Sequence, residues 1–156
     1  MALIHELLYQ SNDLKRINFG SYVNKLTNEL FSVYVTDPNN IKLDMDIDDI
    51  MLDINTVIPL GLIVNELVSN SMKHAFPSNK QGKIDIKFKL NDGNYSMIVS
   101  DNGVGFPQNY NIQNSDSLGL KIVNSLTEQI DGEIKIEATN GTKFTINFKE
   151  ETYNNS

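Results

Sequence analysis

The chain has 156 residues, 40% of them hydrophobic, which suits one domain with a single packed core and excludes a disordered polymer. With 13 Lys and Arg against 20 Asp and Glu, its formal net charge of −7 lacks the electrostatic footprint of a nucleic-acid binder and the polybasic patch of a membrane-surface protein. The absence of Cys excludes disulfides, thiolate metal sites and cysteine nucleophiles, and suits a reducing cytoplasm.

The first ten residues carry Leu3, Ile4, Leu7 and Leu8 at helical spacing, and Ser11, Asn12 and Asp13 break the pattern. They lack the basic n-region and long apolar core of a signal peptide. A second helix is expected from Phe19 to Tyr34, where Phe19, Tyr22, Val23, Leu26, Leu30 and Val33 recur at steps of three and four. Pro38, Asn39 and Asn40 mark a turn. The period then becomes two: Ile41, Leu43, Met45 and Ile47 alternate with Lys42, Asp44, Asp46 and Asp48, a strand with one wet face. A short strand follows near Met51 to Ile54. The next helix is expected over Val57 to Ala75, with Pro59 near its start and Pro77 stopping it. Its apolar stretch Val57 to Val64 is interrupted by Pro59 and Gly61 and is too short to span a bilayer, so the chain is expected to be soluble, with any membrane-bound part of a parent protein outside it.

Strands are expected at Lys83 to Leu90 and Tyr95 to Ser100, joined by a hairpin at Asp92–Gly93. A polar loop covers Asn102 to about Ser117, a helix covers Leu118 to Ile130, and two strands, Glu133 to Ala138 and Thr142 to Lys149, turn at Asn140–Gly141. The tail from Glu151 to Ser156 is polar. Hairpins separated by helices predict an α+β fold: a two-layer sandwich of one mixed sheet with helices on one face.

Four segments carry chemistry. On the helix over Val57 to Ala75, an apolar side (Val57, Leu60, Val64, Leu67, Val68, Met72, Ala75) faces away from an arc holding Glu66, Asn70, Lys73 and His74. The bland alternative is a solvated helix face with an i,i+4 polar pair. Asp101-Asn102-Gly103-Val104-Gly105 follows a strand; its Asp can accept from an exocyclic amine and its glycines let the backbone approach a flat base, although a plain turn reads the same. Ser117-Leu118-Gly119-Leu120 opens a helix, where free N–H groups attract phosphate, and Ser117 would also serve as a simple cap. Gly141-Thr142-Lys143-Phe144 starts the last strand.

In order and spacing these segments resemble a known group. Asn65 to Ala75 is similar to the N box of the GHKL ATPases, the group of gyrase, heat-shock chaperones, histidine kinases and mismatch-repair proteins. Asp101 to Gly105 resembles the G1 box, Ser117 to Leu120 the G2 box, and Gly141 to Phe144 the final Gly–Thr element. Residues 2–11 resemble the end of the second dimerisation helix in sensor histidine kinases of the second HisKA type. The resemblance implies a Bergerat-type ATP-binding fold. It divides the chain into a dimerisation-helix end over 1–11, a catalytic domain over 12–150 and a tail over 151–156. The acceptor histidine of that subfamily lies on a preceding helix, so His5 is assigned a structural or interface role.

The resemblance further implies an ATP-dependent protein-histidine kinase domain that passes the γ-phosphoryl of ATP to a histidine on a dimerisation domain, from which an aspartate on a response regulator receives it. ATP and Mg²⁺ are the implied cofactors, with no nucleic-acid partner, no direct membrane contact and a cytoplasmic location. Asn70 would hold Mg²⁺ through its side-chain oxygen, Lys73 would meet phosphate, and His74 would line the nucleotide site. Asp101 would read the adenine amino group, with Gly103 and Gly105 clearing space and Thr142 supporting Asp101. Ser117, Leu118, Gly119 and Leu120 would meet phosphates at the end of a lid over Asn102 to Ser117. Glu66 occupies the general-base place of the ATPases, where many histidine kinases have Asn; a metal-water or positioning role ranks first for it. Ser115 and Ser117 stand where many relatives have glycine, and Phe106 is the lid's one Phe.

Asp44, Asp46, Asp48 and Asp49 do not make an EF-hand loop, whose Gly and Glu places hold Asp49 and Asn55. A Walker-type phosphate loop is absent, and His5 and His74 are too far apart for a local zinc motif. Two alternatives remain at this stage: a serine kinase of the anti-sigma type, which shares the fold, and a non-catalytic nucleotide-binding module.

Overall fold

The computed structural model describes residues 16–35, 39–74, 81–104, 118–138 and 140–149, without the side chains of His74 and Leu118. The expected helix over 1–10, the boundary at 11, Pro38, Ala75, Gly105, Ser117, most of the lid and the tail lie outside the described residues.

The chain runs first through β1 (Arg16–Asn18), which pairs antiparallel with β3 (Met51–Asp53) as a separate two-stranded ribbon. β1 is too short to show a period, and its partner lies 35 residues on, so no expectation covered it. Asn18 closes the strand and caps α1 (Phe19–Tyr34): its side-chain oxygen accepts the Ser21 N–H at 2.9 Å, and its amide donates to Asp49 Oδ1 at 2.8 Å. α1 has the expected bounds because Phe19, Tyr22, Val23 and Leu26 bury one stripe.

α2 (Ile54–His74) begins earlier than Val57. The carboxylate of Asp53 accepts the Asn55 N–H at 2.8 Å, which satisfies a first-turn donor and lets the helix start ahead of Pro59. Pro59 therefore sits inside the helix, where its ring denies a partner to the Asn55 carbonyl. The expected apolar side is buried: Val57, Leu60, Val64, Leu67, Val68 and Met72 are all at most 6% exposed.

The main sheet has the order β2-β4-β5-β7-β6, with β2 (Ile41–Ile47), β4 (Gly82–Asn91), β5 (Asn94–Asp101), β6 (Glu133–Glu137) and β7 (Thr142–Phe148). β2 pairs parallel with β4 and every other pair is antiparallel, so the sheet is mixed as expected. Asp92 and Gly93, both at positive φ, turn β4 into β5, the geometry that an Asp–Gly pair supplies. Helices α1, α2 and α3 (Leu118–Gln129) form the second layer, with α2 between the other two. Ile84, Ile86, Phe88, Met97, Val99 and Ile146 of the sheet meet Leu60, Ile63, Val64 and Leu67 of α2 in one core. Each such side chain contributes about 1.5–3 kcal/mol on burial. Phe19 meets Phe88 edge-on at 5.0 Å, and Tyr95 stacks on Phe148 at 5.1 Å.

The acidic positions of β2 face the wet side. Lys83 Nζ lies 3.1 Å from Asp44 and 3.5 Å from Asp85, and Lys89 bridges Asp46 and Asp48. The hydrogen bond from Lys83 holds the Asp44 carboxyl below its usual range, and both lysines are pushed up by their carboxylate partners. Under the helices, Tyr22 is fully buried, and burial followed by the charge of Glu29 pushes its phenol up to about 12.

Candidate nucleotide-binding site

Asp101 ends β5 on the inward-facing register of Tyr95, Met97 and Val99, so the alternation that buries apolar side chains also buries a carboxylate. It is 8% exposed. Its Oδ2 accepts the Ser71 hydroxyl of α2 at 2.7 Å, and its Oδ1 accepts the Gly103 N–H at 3.0 Å. A carboxylate has about four acceptor positions, so two donors leave capacity for an amine. Ser71 belongs to none of the motif roles that the sequence suggests. Its signal was faint: a hydroxyl about 100° around the helix from Asn70, on the sheet side.

The backbone beyond Asp101 is fixed from two directions. Asn102 donates its N–H to the Lys83 carbonyl at 3.2 Å and accepts the Lys83 N–H on its side-chain oxygen at 2.7 Å. Across β7, Thr142 is the register partner of Asp101. Before it, Gly141 has φ +104°, and a side chain there would run into the backbone carbonyl of Asp101. Glycine is therefore required at this place both by conformation and by space.

The charged arc of α2 lies at the other end of the site. Glu66 and Asn70, one turn apart, are both half-buried. The carboxylate of Glu66 occupies the space where a side chain on Gly119 would begin, directly over the first turn of α3. Gly119 and Leu120 belong to that turn, whose N–H groups have no acceptor within the helix, and the Leu120 side chain is buried in the core. Lys73 is exposed, and its ammonium sits 4.9 Å from the centre of the Tyr34 ring on α1. His74 ends α2. Gly103 is half-buried beside Asp101. Ser71 thus joins Asp101 to α2, while Glu66 joins α2 to α3, so the three elements that carry the motifs meet around one end of the helix layer. A cavity lined by Asp53, Asn55, Gln129 and Lys149 lies at the opposite end of α2 and contains none of the motif residues.

The family model for histidine kinase-, DNA gyrase B- and HSP90-like ATPases matches residues 55–152. The chain belongs to this ATPase family. Every motif residue from Glu66 to Thr142 falls inside the matched span, and a second model, for histidine kinases, matches residues 1–34. The sensor histidine kinase PdtaS of Mycobacterium tuberculosis is 30% identical over 136 residues, which are 86% of this chain and 27% of that protein. Blue-light-activated histidine kinase 2 of Erythrobacter litoralis is 25% identical over 140 residues, 84% of this chain and 40% of that protein. This ATPase-family chain therefore spans about a quarter to two-fifths of the curated relatives it matches. The solved histidine kinase domain of the Erythrobacter litoralis EL346 blue-light activated histidine kinase shares the fold, with a TM-score of 0.86 at 22% identity over 94% of this chain and 70% of that one. No helix among the described residues is long and apolar enough to cross a membrane.

Proposed function

We propose that this chain is the ATP-binding catalytic unit of a cytoplasmic sensor histidine kinase, and that it passes the γ-phosphoryl of ATP to a histidine on a dimerisation domain. The phosphoryl would then go to an aspartate on a response-regulator receiver domain. The observation that carries the reading is the buried Asp101, held between Ser71 and Gly103 and set to accept the adenine amino group. Thr142 and Gly103 would shape the wall around the base.

Glu66 and Asn70 offer hard oxygens one turn apart, half-buried beside the first turn of α3, which fits Mg²⁺ with Asn70 as the ligand and Glu66 acting through a water. When bound, Mg²⁺ neutralises charge on the phosphates. The N–H groups of the first turn of α3, over Leu118, Gly119 and Leu120, with the Lys73 ammonium, would hold the phosphate oxygens. Phosphoryl transfer needs alignment and charge stabilisation more than covalent help from the protein, so a positioning role for Glu66 suffices.

Calorimetric titration with ATP, with and without Mg²⁺, tests this directly. Asp101→Asn should weaken adenine-nucleotide binding about tenfold to a hundredfold, the worth of a hydrogen bond to a charged group. Equal affinity in the variant would remove Asp101 from the base site. Transfer is checked by supplying a dimerisation domain and looking for acid-labile phosphate on its histidine.

A further inference from the structure

Tyr34 lies outside the four nucleotide-site motifs, yet its ring holds the one lysine of the N-box segment. Helices α1 and α2 run parallel. The Tyr22 ring fits against Gly61, where a side chain would meet it at 2.7 Å, and twelve residues further along both helices Tyr34 meets Lys73. The two contacts are about 18 Å apart along the axes. Gly61 marks the flank of α2 that faces α1, and Glu66 marks the flank that faces α3. These flanks differ by about 140° around α2, and Lys73 leaves the helix within about 20° of Glu66, so it is the long side chain that carries its ammonium across to Tyr34.

We infer that Tyr34 is a positioning residue that docks the Lys73 ammonium toward α1, in competition with phosphate at the first turn of α3, so that phosphate binding there must draw Lys73 off the ring. The inference rests on the proposed nucleotide site and adds a residue to it. The phosphates are expected at the first turn of α3, where the Glu66 carboxylate now lies. Lys73 instead reaches toward α1 and rests on the ring of Tyr34, a residue that is itself 38% exposed. A cation–π contact at such an exposed place shifts an equilibrium about two- to fivefold, and that factor opposes phosphate binding. Adenosine carries no phosphate and does not compete for Lys73.

The test is a set of Mg–ADP and adenosine titrations on the parent chain, Tyr34→Leu, Tyr34→Phe, Lys73→Met and the Tyr34→Leu/Lys73→Met double variant. Tyr34→Leu should bind ADP about two to five times more tightly, with adenosine unchanged. Tyr34→Phe keeps the ring and should match the parent. In the Lys73→Met background the gain from Tyr34→Leu should vanish. Nuclear magnetic resonance supplies a readout without nucleotide: the Lys73 ε-CH₂ protons should show an upfield ring-current displacement that Tyr34→Leu abolishes and saturating Mg–ADP diminishes. Absence of that displacement in the parent overturns the inference, as does an unchanged or weakened ADP affinity in Tyr34→Leu. A parent chain that takes up no ADP sinks the proposed function and this inference together. ADP binding that Tyr34→Leu leaves untouched sinks only the role of Tyr34.

Discussion

Asp101 and Lys73 anchor the two ends of the proposed site, and the fold treats them differently. Asp101 is buried, with one donor from a helix and another from its own loop, both within 3.0 Å. Its backbone carbonyl is pressed against a glycine that nothing larger can replace. Lys73 is exposed and rests on a ring face, while Glu66 leans over Gly119 by the far end of a flexible side chain. The base end is thus finished before any ligand arrives, because moving Asp101 would strand buried polar atoms. The phosphate end is held by weak contacts that can be exchanged. On the proposed reading, selectivity for the base would be a property of the fold, and affinity for phosphate a balance among side chains.

The largest blow to the rigid end should come from Gly141→Ala. The new methyl meets the Asp101 carbonyl at a backbone angle that Ala avoids, so the loss should be about 3 kcal/mol or more in urea unfolding. A loss below about 1 kcal/mol would show that the end is pliable. Ser71→Ala removes one donor and leaves Asp101 Oδ2 short of a partner, which should cost about 1–2 kcal/mol of stability by the same measurement. If Ser71→Ala is neutral, water supplies the missing donor and the end is less closed than its geometry indicates.

A smaller, pH-dependent effect probes the seam between α1 and α2. Tyr22 keeps its proton more tightly folded than unfolded, since its phenol rises from 10.0 to about 12. Its contribution is therefore complete below about pH 10 and is lost as the pH climbs toward 12. Stability followed against pH should fall in that window, and Tyr22→Phe should flatten the fall.

Much of this arrangement was legible in the residues. The stripe from Phe19 to Val33 marks α1, the alternation from Ile41 to Ile47 marks β2, and Asp92–Gly93 marks the hairpin of β4 and β5, because each signal is local. The motif order pointed to the ATPase family for the same reason: each box is a short local run. What was hidden depends on distant pairing. β1 exists only through Met51 to Asp53. The early start of α2 depends on the Asp53 side chain, which overrides the boundary that Pro59 suggested. The parallel match of β2 with β4 has no hairpin signal to announce it. Ser71 and Tyr34 read as an ordinary helical serine and an ordinary helix-end aromatic until Asp101 and Lys73 are brought against them.

The strand order leaves β2 and β6 at the rims of the sheet. Lys42, Asp44 and Asp46 line the outward register of one rim, and Glu133, Lys135 and Glu137 that of the other. A foreign strand joining either rim would have to lie beside a row of charges, which is how natural sheets discourage edge-to-edge growth. The rims therefore act as bumpers between one sheet and the next.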